Sequence, residues 1–365
     1  MLKFDQMITC IDAHTAGEPL RIFLSDMPAV DVEVEGRETA KLIPDFPSIK
    51  GNTILEKREY VLENYDHIRK MLMLEPRGHA GMYGCIVVPP VTEDGDFGVL
   101  FTHNEGLSYM CGHGIIAITK VAIEIGLYKA KEGNNTVKID SPSGRITSFA
   151  EFKNGKVERV RFENVPSFVY KENFTVPVEG YGDVPCVVGS CGPFYVYVES
   201  EHFGLEVCPE NVDKFIEIGM KIKYYVQEKY NIVHPTNPGI FDIYGTIFTS
   251  PLEREGNKVT SKNVCIFAEG QVDRSPTGTG TAGRVAILAH QGLLKEGDIL
   301  VNKSIIDTEF EGKILERTKV DEFEAVVPEV SGTAYIMGFN HIVVDPQDSL
   351  QEGFRLIGGW LKPLV

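Results

Sequence analysis

Of the seven cysteines in this 365-residue chain, one stands apart by its context. Cys111 precedes Gly112-His-Gly and then Ile115-Ile-Ala-Ile-Thr-Lys-Val-Ala-Ile-Glu-Ile, which reads as an apolar helix closed by Gly126. A residue in that position faces the unpaired N–H groups of the first helical turn, whose partial positive charge favours an anion. A thiol placed there is biased toward thiolate, the form that acts as base or nucleophile. Cys10, Cys85, Cys186, Cys191, Cys208 and Cys265 lie in strand-like or loop-like surroundings instead, several of them apolar, and read as small buried hydrophobes.

A second helix start has the same form. Thr277-Gly-Thr-Gly precedes Thr281-Ala-Gly-Arg-Val-Ala-Ile-Leu-Ala-His-Gln and Gly292. Sliding the chain by 166 residues lays Phe101 on Phe267, Gly112 on Gly278, Gly114 on Gly280, Gly126 on Gly292 and Leu127 on Leu293. Identities at one offset, both closing glycines among them, mark an internal duplication. Two such helices related by an approximate twofold aim their N-termini at one cleft. There the N–H groups of Gly112, His113, Gly278 and Thr279 can hold a carboxylate, glycine letting backbone come close to a ligand.

The two copies differ where chemistry would occur. Thr277 stands opposite Cys111; its hydroxyl is a good N-cap and a poor base near neutral pH. Asp273 falls on Leu107 in the other copy, and its carboxylate can bind a substrate ammonium or cap a turn; the residues alone leave both open. His113, between two glycines at a helix start, reads as a substrate contact rather than a surface histidine. Gly278-Thr-Gly-Thr-Ala-Gly283 spells the GxGxxG dinucleotide fingerprint, but that motif needs a strand running into its first glycine. The nearest strand candidate, Val264–Phe267, ends too early, and Arg274-Ser-Pro intervenes.

The elements that position these residues are mostly strands. Extended segments are expected at Thr136–Ile139, Ile146–Phe152, Val157–Phe162, Val184–Val188, Phe194–Val198, Val264–Phe267, Phe323–Val327 and Thr333–Ile336. Amphipathic helices are expected at Ile54–Leu74 and Val212–Lys229, and a further one at 345–359 despite Pro346. The simplest architecture is a strand-rich shell around a central helix, made twice. The first domain would span 1–182 plus about 345–365, the second 183–344.

Composition narrows the partners. A formal net charge of −16 opposes non-specific binding to nucleic acid and docking on an anionic membrane. No apolar run is long enough for a membrane span, and the start lacks the order of a secretory signal, so a cytoplasmic protein is expected. An odd number of scattered cysteines is not a disulfide framework. No CxxC pair occurs, and His79, His103 and His113 lack the spacing of a helical metal pair, so no metal is expected. The sequence is compatible with a homodimer.

At Met110-Cys-Gly-His-Gly and Asp273-Arg-Ser-Pro-Thr-Gly-Thr-Gly-Thr-Ala the chain resembles the proline racemase family. Asp12-Ala-His-Thr-Ala-Gly-Glu-Pro, Pro76-Arg-Gly-His-Ala-Gly-Met-Tyr-Gly, Asn164-Val-Pro-Ser-Phe and Asp345-Pro agree, so the resemblance covers nearly the whole chain. It implies an α/β fold of two pseudo-symmetric domains, each a twisted, mostly antiparallel sheet or barrel around a central helix. The active site lies in the cleft between them, with no cofactor and no metal. Carried over by position, Cys111 matches a catalytic proton acceptor. Gly112, His113, Gly278 and Thr279 match substrate contacts, Asp273 matches the group that holds the ring nitrogen, and His234 resembles a ligand-proximal residue. Racemases and epimerases of the family carry a second cysteine where this chain has Thr277, and members with threonine resemble trans-3-hydroxy-L-proline dehydratases. The resemblance therefore implies a cofactor-independent hydro-lyase acting on a hydroxyproline-like imino acid. The alternatives are a 4-hydroxyproline epimerase or proline racemase, an isomerase like diaminopimelate epimerase, and a non-catalytic amino-acid-binding protein.

Overall fold

The structure, a computed structural model, describes residues 3–32 and 40–356. Among these, nineteen strands join in one hydrogen-bonded network, and five α-helices pack on or inside it. The helices are α1 (Ile54–Asn64), α2 (Asp66–Met73), α3 (Gly112–Glu124), α4 (Val212–Lys229) and α5 (Gly278–His290). None is long and apolar enough to cross a membrane.

The duplication expected from the sequence is present in space. Strands Gly133–Ser141, Gly144–Lys153 and Lys156–Glu163 form an antiparallel meander against α3. Ile299–Lys303, Glu309–Val320 and Phe323–Gly332 do the same against α5. Along the meander strands, burial alternates as in Ile146, Ser148 and Ala150, which are buried while Thr147 and Phe149 are less so. This is the period-two pattern of a sheet with one face on a core. The two enclosed helices are buried on every side, from Gly112 to Ile123 and from Gly278 to Ala289. That explains why α3 lacks a polar face: strands surround it. Ile115, Ile116 and Ile118 are each fully buried, contributing about 1.5–3 kcal/mol apiece. Gly126 (φ +79°) and Gly292 (φ +72°) end the helices in the left-handed conformation that glycine allows.

The two halves exchange their last strands. Ser167–Val178 pairs with Gly182–Ser190 and with Phe323–Gly332, so it belongs with the second half. Ala334–Val344 pairs along Gln6–Thr15, so it completes the first. Only Asn164-Val-Pro separates Glu163 from Ser167, and only Thr333 separates Gly332 from Ala334.

Two helix expectations also change. Ile54–Leu74 is broken at Tyr65 (φ −128°), and Asp66 starts a new helix with an acid in its first turn. No helix forms over 345–356; turns there dock on the first half, with Phe354 N donating to the Glu75 carbonyl at 2.7 Å and Arg77 pairing with Asp348 at 2.5 Å. Residues 357–359 lie outside the described residues. Val212–Lys229 is helical as expected, burying Phe215, Ile218, Ile222 and Val226.

Candidate active site

The N-termini of α3 and α5 meet head to head. A Cβ added to Gly112 would lie 2.6 Å from Gly278 Cα, and one added to Gly278 would lie 2.5 Å from Gly112 Cα. Only glycine on both sides permits that approach. Around this contact is a small cavity of about 20 Å³, lined by Cys111, Gly112, His113, Asp273, Thr277, Gly278 and Thr279. The sequence reading thus gathers seven of its eight candidate residues at one void. His234 is not brought there; it sits edge-on to Phe168 at 5.6 Å between ring centres. A void of this size has room for about one water, so an imino acid enters only if the walls part.

Cys111 is the N-cap of α3, and its Sγ accepts a hydrogen bond from Gly114 N at 3.3 Å. His113 brings Nδ1 to 3.2 Å from the same sulfur. Burial nevertheless pushes the thiol well above its ordinary pKa; the Gly114 N–H opposes that rise, and the Asp273 and Glu18 carboxylates add to it. Desolvation thus outweighs the pull of the helix end and favours the thiol over the thiolate. Burial also drives His113 down to about 4, so its imidazole is neutral at physiological pH.

Thr277 does not behave as the good N-cap its type suggests. Its side chain makes no capping bond, its φ is +62°, and among the described residues its buried Oγ1 meets only the weakly accepting Cys265 thiol, whose pKa it lowers. A β-branched residue in that conformation is strained by about 1–3 kcal/mol. Its hydroxyl lies beside Cys265 at the wall of the cavity. Asp273 does cap a turn, its Oδ1 accepting from Ser275 N at 2.8 Å, while the residue still lines the void.

Sequence reasoning missed several wall residues. Tyr83, Tyr195 and Tyr244 close the cavity together with Met110, Cys265 and Phe267. Tyr83 stacks edge-on against His113 at 4.9 Å and shares a 2.5 Å hydrogen bond with Ser108. Tyr195 Oη and Thr279 Oγ1 lie 2.9 Å apart. Cys265, read as a structural hydrophobe, pairs across a hairpin with Asp273 and is a second thiol on the void. Burial and Asp273 hold its pKa well above normal.

Glu18, wholly buried, joins the halves: its Oε2 accepts from Arg274 N at 2.8 Å, and the Arg274 guanidinium lies 3.3 Å away. Burial and the neighbouring Asp273 raise its pKa, with Arg274 opposing. Arg274 also donates to the Gly81 carbonyl, and Gln271 donates to Asn104 at 2.6 Å. These bonds fasten the second half to the first beside the cavity. The Glu in Asp12-Ala-His-Thr-Ala-Gly-Glu-Pro was the available signal, but its partner lies 256 residues away.

Comparison with known proteins places this geometry among relatives. The proline racemase family model matches residues 29–355. The chain is 46% identical over 355 residues to the trans-3-hydroxy-L-proline dehydratase of Bacillus thuringiensis subsp. konkukian (strain 97-27), covering 97% of this chain and 100% of the relative. It is 41% identical over 353 residues to the enzyme of that name from Azospirillum brasilense, covering 97% and 99%. It is also 41% identical over 356 residues to the proline racemase of Clostridioides difficile, covering 97% and 100%. Among solved structures, a probable proline racemase from Agrobacterium radiobacter K84 with bound carbonate superposes with a TM-score of 0.83 at 26% identity, over 96% of each chain.

Proposed function

This chain belongs to the proline racemase family, and we propose that it is a trans-3-hydroxy-L-proline dehydratase, a hydro-lyase. The observation that carries the reading is the asymmetry of the two apposed helix starts. One presents a thiol with a histidine against it, the other a threonine that cannot serve as a base. Inverting an α-carbon by two opposed groups needs a base on one face and an acid on the other. Dehydration of the trans-3-hydroxy compound needs one face only, because its α-hydrogen and its hydroxyl lie on the same side of the ring.

In the mechanism that follows, the substrate carboxylate is held by the first-turn N–H groups of Gly112, His113, Gly278 and Thr279, and its ring ammonium lies against Asp273. The ammonium offsets the cost of ionising Cys111, whose own proton passes to the neutral His113 imidazole 3.2 Å away or to water displaced by the substrate, and the resulting thiolate takes the α-proton. The helix N–H groups stabilise charge that spreads onto the carboxylate. The C3–O bond breaks, and the proton held by Cys111, directly or through one water, leaves with the hydroxyl as water. The enamine tautomerises to Δ1-pyrroline-2-carboxylate, one water being lost overall. The acidic composition and the scattered thiols support a cytoplasmic setting.

The test follows imine formation from trans-3-hydroxy-L-proline with o-aminobenzaldehyde, with chiral chromatography of trans-4-hydroxy-L-proline and L-proline alongside. Colour from the 3-hydroxy compound alone, lost in Cys111→Ser, is the expected result. More than a few per cent of activity in that variant would sink the one-base scheme. A second reading, epimerase or racemase, is favoured by one observation: Cys265 lines the same cavity and stays protonated, as an acid must. Inversion without loss of water would decide for it.

A further inference from the structure

The second central helix carries a charged group that this chemistry does not use. Arg284 lies about 9 Å along α5 from its N-terminus and is only 7% exposed. Its Nε is sealed from solvent without a hydrogen-bond partner, and among the described residues the Glu199 carboxylate acts on its guanidinium through space without closing an ion pair. The other enclosed helix shows what a satisfied buried cation looks like. Lys120 on α3 donates to the Val157 carbonyl at 2.5 Å and pairs with Glu124, one turn on, at 2.9 Å. On α5 the residue one turn on from Arg284 is Leu288.

Arg284 forms part of the wall of a cavity of about 270 Å³, separate from the catalytic void, together with Tyr197, Glu199, His202, Thr249 and Gln291. Tyr197 is committed elsewhere, its hydroxyl donating to the Gly280 carbonyl at 2.9 Å. Glu199 stands at the mouth, its side chain 63% exposed and 3.8 Å from His202. The cavity therefore has a cation at its depth and an acid at its rim. Its volume falls just below the usual range for small-molecule sites, which suits a ligand of few heavy atoms. A guanidinium fork matches the two oxygens of a carboxylate, and a buried charge is tolerated best when so paired.

We propose that this cavity is a second binding site, taking a small amino or imino acid whose carboxylate meets Arg284 and whose ammonium faces Glu199. It makes no use of Cys111 and stands whether or not the dehydratase reading does.

The experiment is thermal unfolding of the full chain in buffer free of carboxylate, phosphate and sulfate, then with glycine, acetate or inorganic phosphate added. Wild type, Arg284→Met, Arg284→Lys and Glu199→Gln are compared. Glycine is expected to raise the melting temperature of wild type. That rise should vanish in Arg284→Met, which should itself melt higher than wild type without ligand because an unpaired buried charge is gone. Arg284→Lys, which keeps the charge and so the fold, should need about tenfold more glycine for the same rise. Glu199→Gln should lose the preference for glycine over acetate. A glycine response unchanged in both Arg284 variants puts the binding elsewhere and overturns the proposal. So does ligand-free melting of both Arg284→Met and Glu199→Gln below wild type, which would mean the two side chains pair with each other. A larger response to phosphate than to glycine overturns the carboxylate assignment.

Discussion

Gly112→Ala is the substitution that most directly probes the head-to-head contact of the two helices. Its Cβ would lie 2.6 Å from Gly278 Cα, 2.7 Å from Gly278 C and 2.8 Å from Thr279 N, all of them backbone atoms that no rotamer change can move. Carbon atoms rest at about 3.5–4.0 Å, so the helix ends must part by roughly 1 Å. Overpacking of this kind costs about 1–3 kcal/mol, which for a chain of this size lowers the melting temperature by a few degrees. The catalytic cost is larger. The same 1 Å separates Cys111 from the N–H groups of Gly278 and Thr279 that are to hold the substrate, and a displacement of that size costs about 100-fold in rate.

The assay is kcat for imine formation from trans-3-hydroxy-L-proline, read beside the melting temperature. Gly278→Ala places its Cβ 2.5 Å from Gly112 Cα, so one opening of the gap relieves both substitutions. The double variant should therefore lose less than the sum of the singles in a mutant cycle, because residues in contact couple. A Gly112→Ala protein that melts lower yet keeps more than a third of its kcat would show that the apposition serves stability alone. Full additivity in the cycle would refute the shared gap.

Thr277→Cys restores a thiol on the second face and should produce D-proline from L-proline in deuterium oxide with label at the α-carbon; exchange without inversion would count against the geometry. Cys265→Ala should lower dehydration by less than about tenfold, under 1.4 kcal/mol of barrier, while erasing any residual inversion; a deeper loss would make this thiol part of the elimination itself. Burial holds His103 at about 3 and His113 at about 4, so each binds fewer protons folded than unfolded. Their contribution to stability is complete above the unfolded value near 6.5 and falls as pH drops, by about 2 kcal/mol each at pH 5. Melting curves from pH 8 to pH 5 should show this decline, shallower in His103→Gln; parallel declines in the two proteins would refute it.

What could be read from the sequence is what local pattern encodes. Cys111 and Thr277 announce themselves because a glycine-rich entry, an apolar run and a closing glycine are all neighbours in the chain. The helix Val212–Lys229 is legible for the same reason. Strand partners are not local: nothing within Ser167–Val178 says that it will pair with Gly182–Ser190 and Phe323–Gly332 rather than with the half it follows. Glu309–Val320 hides as a strand because charged side chains fill its exposed positions. Tyr83, Tyr195, Tyr244 and Cys265 were invisible as site residues because alternation tells which side chains point inward, not which of them meet at a cleft. The Glu18–Arg274 link, across 256 residues, is of the same kind.

The duplication makes two equivalent helix ends, and the residues on them divide the labour. At Cys111 the side chain itself caps the helix through Gly114 N, so the sulfur proposed as base is also a structural element, and its position is fixed by the turn it closes. At Thr277 the opposite holds. The residue carries backbone strain of about 1–3 kcal/mol and a buried hydroxyl that, among the described residues, makes no capping bond and meets only the weakly accepting Cys265 thiol, a further cost. A residue kept only to start α5 would be relieved of both by glycine, which is at ease with positive φ and has no hydroxyl to satisfy. Two such costs at one position, on the wall of the catalytic void, fit a hydroxyl that finds its partner in the bound substrate. In the proposed mechanism one helix end supplies the base and the other recognises, which is the division a one-face elimination requires and a two-face inversion does not.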